Sequence, residues 1–153
     1  MPEYRRPKFE QFNEETAKTM IDANNAGMKG LTTFLGVQFE TFEAGRLVAT
    51  MEIRDDHVTF MGTLHGGVMA GYVDHVMGCV LYPLMARGQW AATTEFKLNY
   101  LAPVKEGVLT AESTVLSMGR RSAVVRVEVE GGGKLLCVAQ GTLLISTPPV
   151  ARD

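Results

Sequence analysis

An α+β fold, one antiparallel sheet curled around a single buried helix, is predicted by three observations. Residues 66–86 form an apolar stretch whose only acidic or basic side chains are Asp74 and His75. Strand-like alternation dominates the chain beyond it, up to Ile145, with mostly short turns between segments. A helix that is apolar on most sides also needs protein on most sides, and a curled antiparallel sheet supplies that cover.

Element by element, Phe9, Phe12, Thr16, Met20 and Ala23 recur at helical spacing and predict an amphipathic helix over residues 9–25, which Asn24, Asn25, Gly27 and Gly30 end. Residues 34–42 and 47–54 alternate as two strands around a turn at Ala44 and Gly45, with Leu47, Ala49, Met51 and Ile53 facing in. The long helix follows over residues 66–86. Then Phe96, Leu98 and Tyr100 alternate with Glu95, Lys97 and Asn99 until Pro103 closes the strand. Residues 108–118 make the next strand. From Ser122 to Glu130, Val125, Val127 and Val129 share one face against Arg126, Glu128 and Glu130. Gly131, Gly132 and Gly133 turn the chain into a last strand over 135–145, whose near-continuous apolar run predicts cover on both faces. The tail over 147–153 is expected to fray. No repeat, linker or low-complexity segment interrupts the 153 residues, so they are read as one domain with a sheet-and-helix core over 34–146.

Composition narrows the classes of partner. Hydrophobic residues at 46% and charged residues at 21% are ordinary for a globular chain. A formal charge of −2 gives no reason to expect nucleic acid. The opening Met-Pro-Glu-Tyr-Arg-Arg-Pro-Lys lacks the apolar core of a signal peptide, so a cytoplasmic protein is expected. Residues 66–86 are long enough to span a bilayer, but Asp74 near their middle opposes insertion by roughly 2.5 to 3.5 kcal/mol. Four glycines, Pro83 and the lack of a positive flank weaken a span further. Cys79 and Cys137 lie in apolar surroundings and read as reduced core residues.

The entrance to the long helix is where chemistry is expected. His65, Gly66 and Gly67 stand at its mouth, and Asp74 lies on a stripe of small residues with Gly67, Ala70, Gly71 and Gly78. The opposite side carries Met69, Tyr72, Val73, Val76 and Val80. A satisfied buried acid is the ordinary reading of such an aspartate; the glycine entrance favours a functional one. The first amides of a helix lack internal partners and sit at the positive end of its dipole. Gly66 has no Cβ, so a substrate carbonyl can reach its amide, which is the geometry of an oxyanion site. Asp74 lies eight residues further on, roughly 12 Å along the axis, too far for both groups to meet at one carbon. Two copies of the helix packed antiparallel bring them together, which predicts a homodimer with composite sites.

Gly62-Thr-Leu-His65-Gly66-Gly67, Asp74 nine positions after the histidine, and Leu98-Asn-Tyr-Leu-Ala-Pro103 resemble the hotdog-fold acyl-CoA thioesterases, in the branch of the phenylacetic acid degradation protein PaaI. The resemblance covers roughly residues 34–146. It implies that Asp74 is nucleophile or general base, that the Gly66 amide polarises the thioester carbonyl, and that the two meet across a dimer interface, with two dimers commonly forming a tetramer. It implies a coenzyme A thioester substrate and no other cofactor. Thr93 matches a position whose hydroxyl orients the attacking water; Thr94 beside it reads as structural, since neighbours on a strand face opposite ways. The chain departs from the family at Thr59, where an asparagine usually helps hold the carbonyl or the water. A hydroxyl is shorter and offers one proton, so turnover or substrate placement is expected to differ.

Other candidates rank lower. His65 is read as shaping the entrance by hydrogen bonding, with Gly67 beside it in contact with substrate. His75 and Cys79 face each other at four-residue spacing, which invites a cysteine nucleophile, but both lie to the side of Asp74 and lack a third group. His57, His65 and His75 lack metal-ligand spacing, so no metal is expected. Arg120 and Arg121 occupy a tight turn; a solvated hairpin tip is the ordinary reading, and contact with coenzyme A phosphates the functional one. Gly131 to Gly133 precede no helix and are a turn, not a phosphate loop. Tyr72, Tyr82 and Trp90 are candidates to line an aromatic acyl pocket, although core packing is their commoner use. Two rival functions remain: a non-catalytic acyl-CoA binding or sensor module, and a hydratase or dehydratase on the same fold.

Overall fold

The computed structural model describes residues 7, 9, 11–27 and 29–147, and the predicted tail beyond Thr147 lies outside them. Two helices, α1 (Glu14–Asn25) and α2 (Leu31–Leu35), precede strands β1 (Gln38–Glu43) and β2 (Arg46–Glu52). The long helix α3 (Gly66–Cys79) follows, then β3 (Trp90–Tyr100), β4 (Val108–Met118), β5 (Ser122–Gly131) and β6 (Lys134–Ser146). The six strands form one antiparallel sheet in the order β1-β2-β4-β5-β6-β3. It wraps α3 as a hotdog fold. Met69, Tyr72, Val73, Val76 and Met77 of the helix are buried against Leu47, Ala49 and Met51 of β2, Leu109 and Ala111 of β4, Val125 and Val127 of β5, and Ala139 and Leu143 of β6.

Several boundaries differ from the sequence reading, each for a local reason. The first helix begins at Glu14 and not at residue 9, because the Asn13 side chain caps it by accepting from the Thr16 amide at 2.8 Å. Phe9 packs instead against the turn at Gly45. The first strand begins at Gln38 and not at residue 34, since Leu31–Leu35 coil into a short helix that Gly36 ends at φ +67. The central helix stops at Cys79 and not at Ala86: Pro83 lies in a following 3-10 turn over Tyr82–Leu84. The last strand buries one face and leaves Gln140 and Leu144 of the other exposed, so its apolar run does not mark cover on both sides. Ile53, expected to face in, is half-buried, beyond the end of β2.

The two outer strands are treated differently. On the free edge of β1, the Asn25 side chain accepts from the Phe39 amide at 2.8 Å and donates to the Phe39 carbonyl at 2.9 Å, as a neighbouring strand would. The buried Asn24 donates to the Val37 carbonyl at 2.8 Å. Among the described residues β3 has no partner on its outer side over all of its 11 residues. An edge of that length is a template for pairing with another chain.

Asn24 also ties α1 to α3, because its side-chain oxygen lies 3.1 Å from His75 Nε2, while the imidazole stacks on Phe39 at a centroid distance of 5.5 Å. Burial lowers the His75 pKa, and the opposing pull of Asp74 is smaller. The folded chain therefore refuses a proton that the unfolded chain accepts below about pH 6.5. Stability is expected to hold above that pH and to fall below it, by at most about 1.4 kcal/mol per pH unit from this group. Melting temperatures measured from pH 7.5 down to 5.5 should fall less steeply in His75→Gln than in the parent.

Candidate active site at the entrance of the central helix

The entrance of α3 is held by a small hairpin. Val58 bridges Leu64, the Thr59 amide donates to the Thr63 carbonyl at 2.7 Å, and the His65 amide donates to the His57 carbonyl at 2.9 Å. His57 is fully buried, with Nε2 at 2.9 Å from the Phe34 carbonyl and Nδ1 accepting from the Arg54 amide at 3.3 Å. Nε2 thus ties the loop to α2, and Nδ1 is spent within the loop itself. A histidine so engaged cannot ligate a metal without losing a partner.

His65 caps α3, which is unusual because Ser, Thr, Asp and Asn dominate that position. Its Nδ1 accepts from the Gly67 amide at 2.9 Å, so the ring proton is assigned to Nε2. Its carbonyl accepts from the amides of Val68 at 3.0 Å and Met69 at 3.2 Å. Two donors on that carbonyl polarise the same peptide's N–H, which belongs to Gly66. Gly66 N–H itself has no acceptor among the described residues. The entrance therefore presents one strengthened, unspent donor, and the Gly67 amide is consumed by the cap.

Beside this donor lies a cleft of about 330 Å³ lined by Thr63, Leu64, Gly66, Met69, Tyr100 and the segment from Leu101 to Val104. In the sequence Tyr100 is marked only by its alternation with Phe96 and Leu98. Its hydroxyl donates to the Gly66 carbonyl at 2.8 Å. A Cβ on Gly66 would stand 3.0 Å from that oxygen and 3.2 Å from Cζ, so any larger residue there would have to push the tyrosine aside.

Asp74 is exposed, not a buried acid, and accepts no hydrogen bond among the described residues. Exposure follows from its stripe: the small side chains of Gly67, Ala70 and Gly78 leave that side of α3 largely uncovered, while Leu31 and Leu35 of α2 lie over Gly71. Thr93 is half-buried on β3, paired with the buried Leu143, and so faces α3. A bulge between Thr93 and Glu95 makes this possible. Without it, Thr93 and Tyr100, seven residues apart, would point to opposite faces. The Thr94 hydroxyl donates to the Thr142 carbonyl at 2.9 Å within the bulge.

A family model described as the thioesterase superfamily matches residues 61–138, slightly more than half of the chain. The chain belongs to the thioesterase superfamily. It is similar to human acyl-coenzyme A thioesterase 13, at 30% identity over 100 residues, 63% of this chain and 69% of that protein. A solved thioesterase of Haemophilus influenzae superposes with a TM-score of 0.77 over 99% of this chain and 100% of its own at 21% identity, and shares the fold. A Streptococcus mutans protein solved with acetyl-CoA bound gives 0.68 at 26% identity over 72% of this chain and 89% of its own. With these likenesses the chain is a thioester hydrolase.

The remaining predicted residues of this thioesterase fall elsewhere. Thr59 spends its hydroxyl within the hairpin, 3.2 Å from Thr63 Oγ1 and 3.3 Å from the Met61 amide. Arg120 lines a separate cleft with Phe9, Leu84, Ala86, Met118 and Ile145, beyond the far end of α3 from Gly66; Arg121 is the next residue of the same turn. Within one chain, neither arginine belongs to the entrance. Cys79 lies 3.9 Å from His75 Nδ1, but burial and then the charge of Asp74 push its thiol up to about 12, so it is no nucleophile at neutral pH. Cys137 is pushed up to about 11 by burial. Tyr72 does not line a pocket: it is fully buried, donating to the Ala49 carbonyl at 2.7 Å and accepting from the Ala111 amide at 3.1 Å. No described helix is long and apolar enough to cross a membrane.

Proposed function

We propose that the chain hydrolyses an acyl-CoA thioester to a free acid and coenzyme A at sites composed by two copies of itself. The observation that carries this reading is the unspent Gly66 N–H at the mouth of a glycine-opened helix, beside a cleft. It binds the oxyanion as the thioester carbon becomes tetrahedral, when negative charge develops on the carbonyl oxygen. Asp74 of the second chain attacks that carbon or takes a proton from the attacking water, and Thr93 orients the water. The thiolate of coenzyme A then leaves, and on the direct route water hydrolyses the remaining anhydride to free the acid and Asp74. Coenzyme A as the carrier is supported by the acetyl-CoA held by the Streptococcus mutans protein and by the name of the human relative.

Two features support the pairing of chains. The open edge of β3 suits a two-fold partner that continues the sheet strand to strand, and such a partner sets its α3 antiparallel to the first. The stripe of Gly67, Ala70 and Asp74, exposed at Gly67 and Asp74 and half-buried at Ala70, suits the close approach of that helix. The same arrangement carries Arg120 and Arg121, at the far end of one α3, toward the entrance of the other, where the phosphates of coenzyme A would lie. Two such dimers form the larger assembly.

A panel of straight-chain, branched and aromatic acyl-CoA thioesters, followed with a thiol reagent, tests the reading. Release of free thiol from at least one is expected, and aromatic acyl groups belong in the panel because of the phenylacetic branch of the family. Binding of the panel without release from any member would favour a non-catalytic acyl-CoA module, a reading that draws on the engagement of Thr59 within its own hairpin.

A further inference from the structure

Tyr100 ends β3 and is 58% exposed, so core packing does not account for its position. Its hydroxyl is spent on one atom, the Gly66 carbonyl oxygen, at 2.8 Å. The N–H of that same peptide, which is the Gly67 amide, donates to His65 Nδ1 at 2.9 Å. A planar peptide held at its C=O and at its N–H cannot turn about the bonds that flank it. The preceding peptide is held too, since the His65 carbonyl accepts from Val68 and Met69. Both torsions of Gly66 are thereby fixed, in the residue type with the widest conformational choice. The aim of the Gly66 N–H follows from those torsions.

We propose that Tyr100 is a positioning residue for thioester hydrolysis, holding the Gly66–Gly67 peptide so that the Gly66 N–H points at the developing oxyanion. This rests on the reading of Gly66 as the oxyanion donor. The strand is shaped for it: the bulge after Thr93 lets the water-orienting hydroxyl and the Tyr100 ring both face α3 from one strand. The ring lies against Gly66, where a Cβ would meet Oη and Cζ. Tyr100 touches no reacting atom in this role. Its loss acts where the oxyanion forms, in the transition state, and so lowers kcat while leaving KM.

Tyr100→Phe keeps the ring and removes the bond. The expected result is a kcat about tenfold lower, less than the loss of an oxyanion donor itself, with KM within about twofold and an unchanged melting temperature. Hydrogen exchange at the Gly67 amide, followed by NMR on the full-length protein, should quicken in the variant. An unchanged kcat, or a raised KM at constant kcat, overturns the proposal; the latter makes Tyr100 a wall of the cleft. If the parent protein releases thiol from no substrate, the proposed function fails and the assignment of Tyr100 to it fails as well. The exchange measurement then separates the two causes: quickened exchange retains the peptide clamp, and unchanged exchange removes it.

Discussion

Asp74→Asn is expected to lower thiol release from the preferred acyl-CoA by roughly 10² to 10⁴-fold, the range lost when a positioned general base or nucleophile is removed. The substitution keeps shape and volume and replaces a side chain that is exposed and accepts no hydrogen bond among the described residues, so the melting temperature should stay within a degree or two. KM should change little, because the carboxylate acts on the carbon and not on the coenzyme A handle. The two routes then separate by labelling. In direct attack the aspartate forms an anhydride with the acyl group. Water that opens it at the aspartyl carbonyl leaves label in Asp74 after a single turnover in isotopically labelled water. A general base leaves label only in the released acid, so label in Asp74 establishes direct attack. Unchanged thiol release in Asp74→Asn would remove Asp74 from the chemistry, and with it the argument from the helix stripe.

The legible and illegible parts of this chain divide along physical lines. Val108–Met118 is legible to the residue because Gly107 precedes it and the turn at Gly119 follows it, although a bulge between Val115 and Ser117 interrupts its alternation. The entrance at Gly66 was legible because glycines after a polar cap and before an apolar run leave few alternatives. Asp74 was placed on the correct stripe, but its exposure was not legible: an apolar helix implies cover, and whether that cover comes from the same chain or from another is not a local property. The bulge at Thr94 was equally hidden. Alternation of Phe96, Leu98 and Tyr100 taken alone assigns Thr94 to the helix side, and one extra residue in the ladder gives that side to Thr93 instead. Tyr100 escaped notice as a site residue because its contact with Gly66 joins positions 34 apart in sequence through the sheet, and no spacing rule reaches that far.

A mixture of two inactive variants should recover activity if the site is shared between chains. Gly66→Val crowds Tyr100 and closes the approach to the entrance amide, while Asp74→Asn removes the acid. Each alone is expected to be inactive. In a two-fold dimer each site takes Gly66 from one chain and Asp74 from the other. A heterodimer of the two variants therefore holds one site with both defects and one with neither. Random re-pairing makes half of the dimers heterodimeric, so the mixture should regain about a quarter of parental activity per chain, read after co-refolding or co-expression with two tags. Purified heterodimer should show about half. No recovery would mean that Gly66 and Asp74 serve the same chain, yet the rise of α3 keeps them roughly 12 Å apart. Both groups could then not act on one thioester carbon, and the oxyanion donor or the acid would have to be sought on another element.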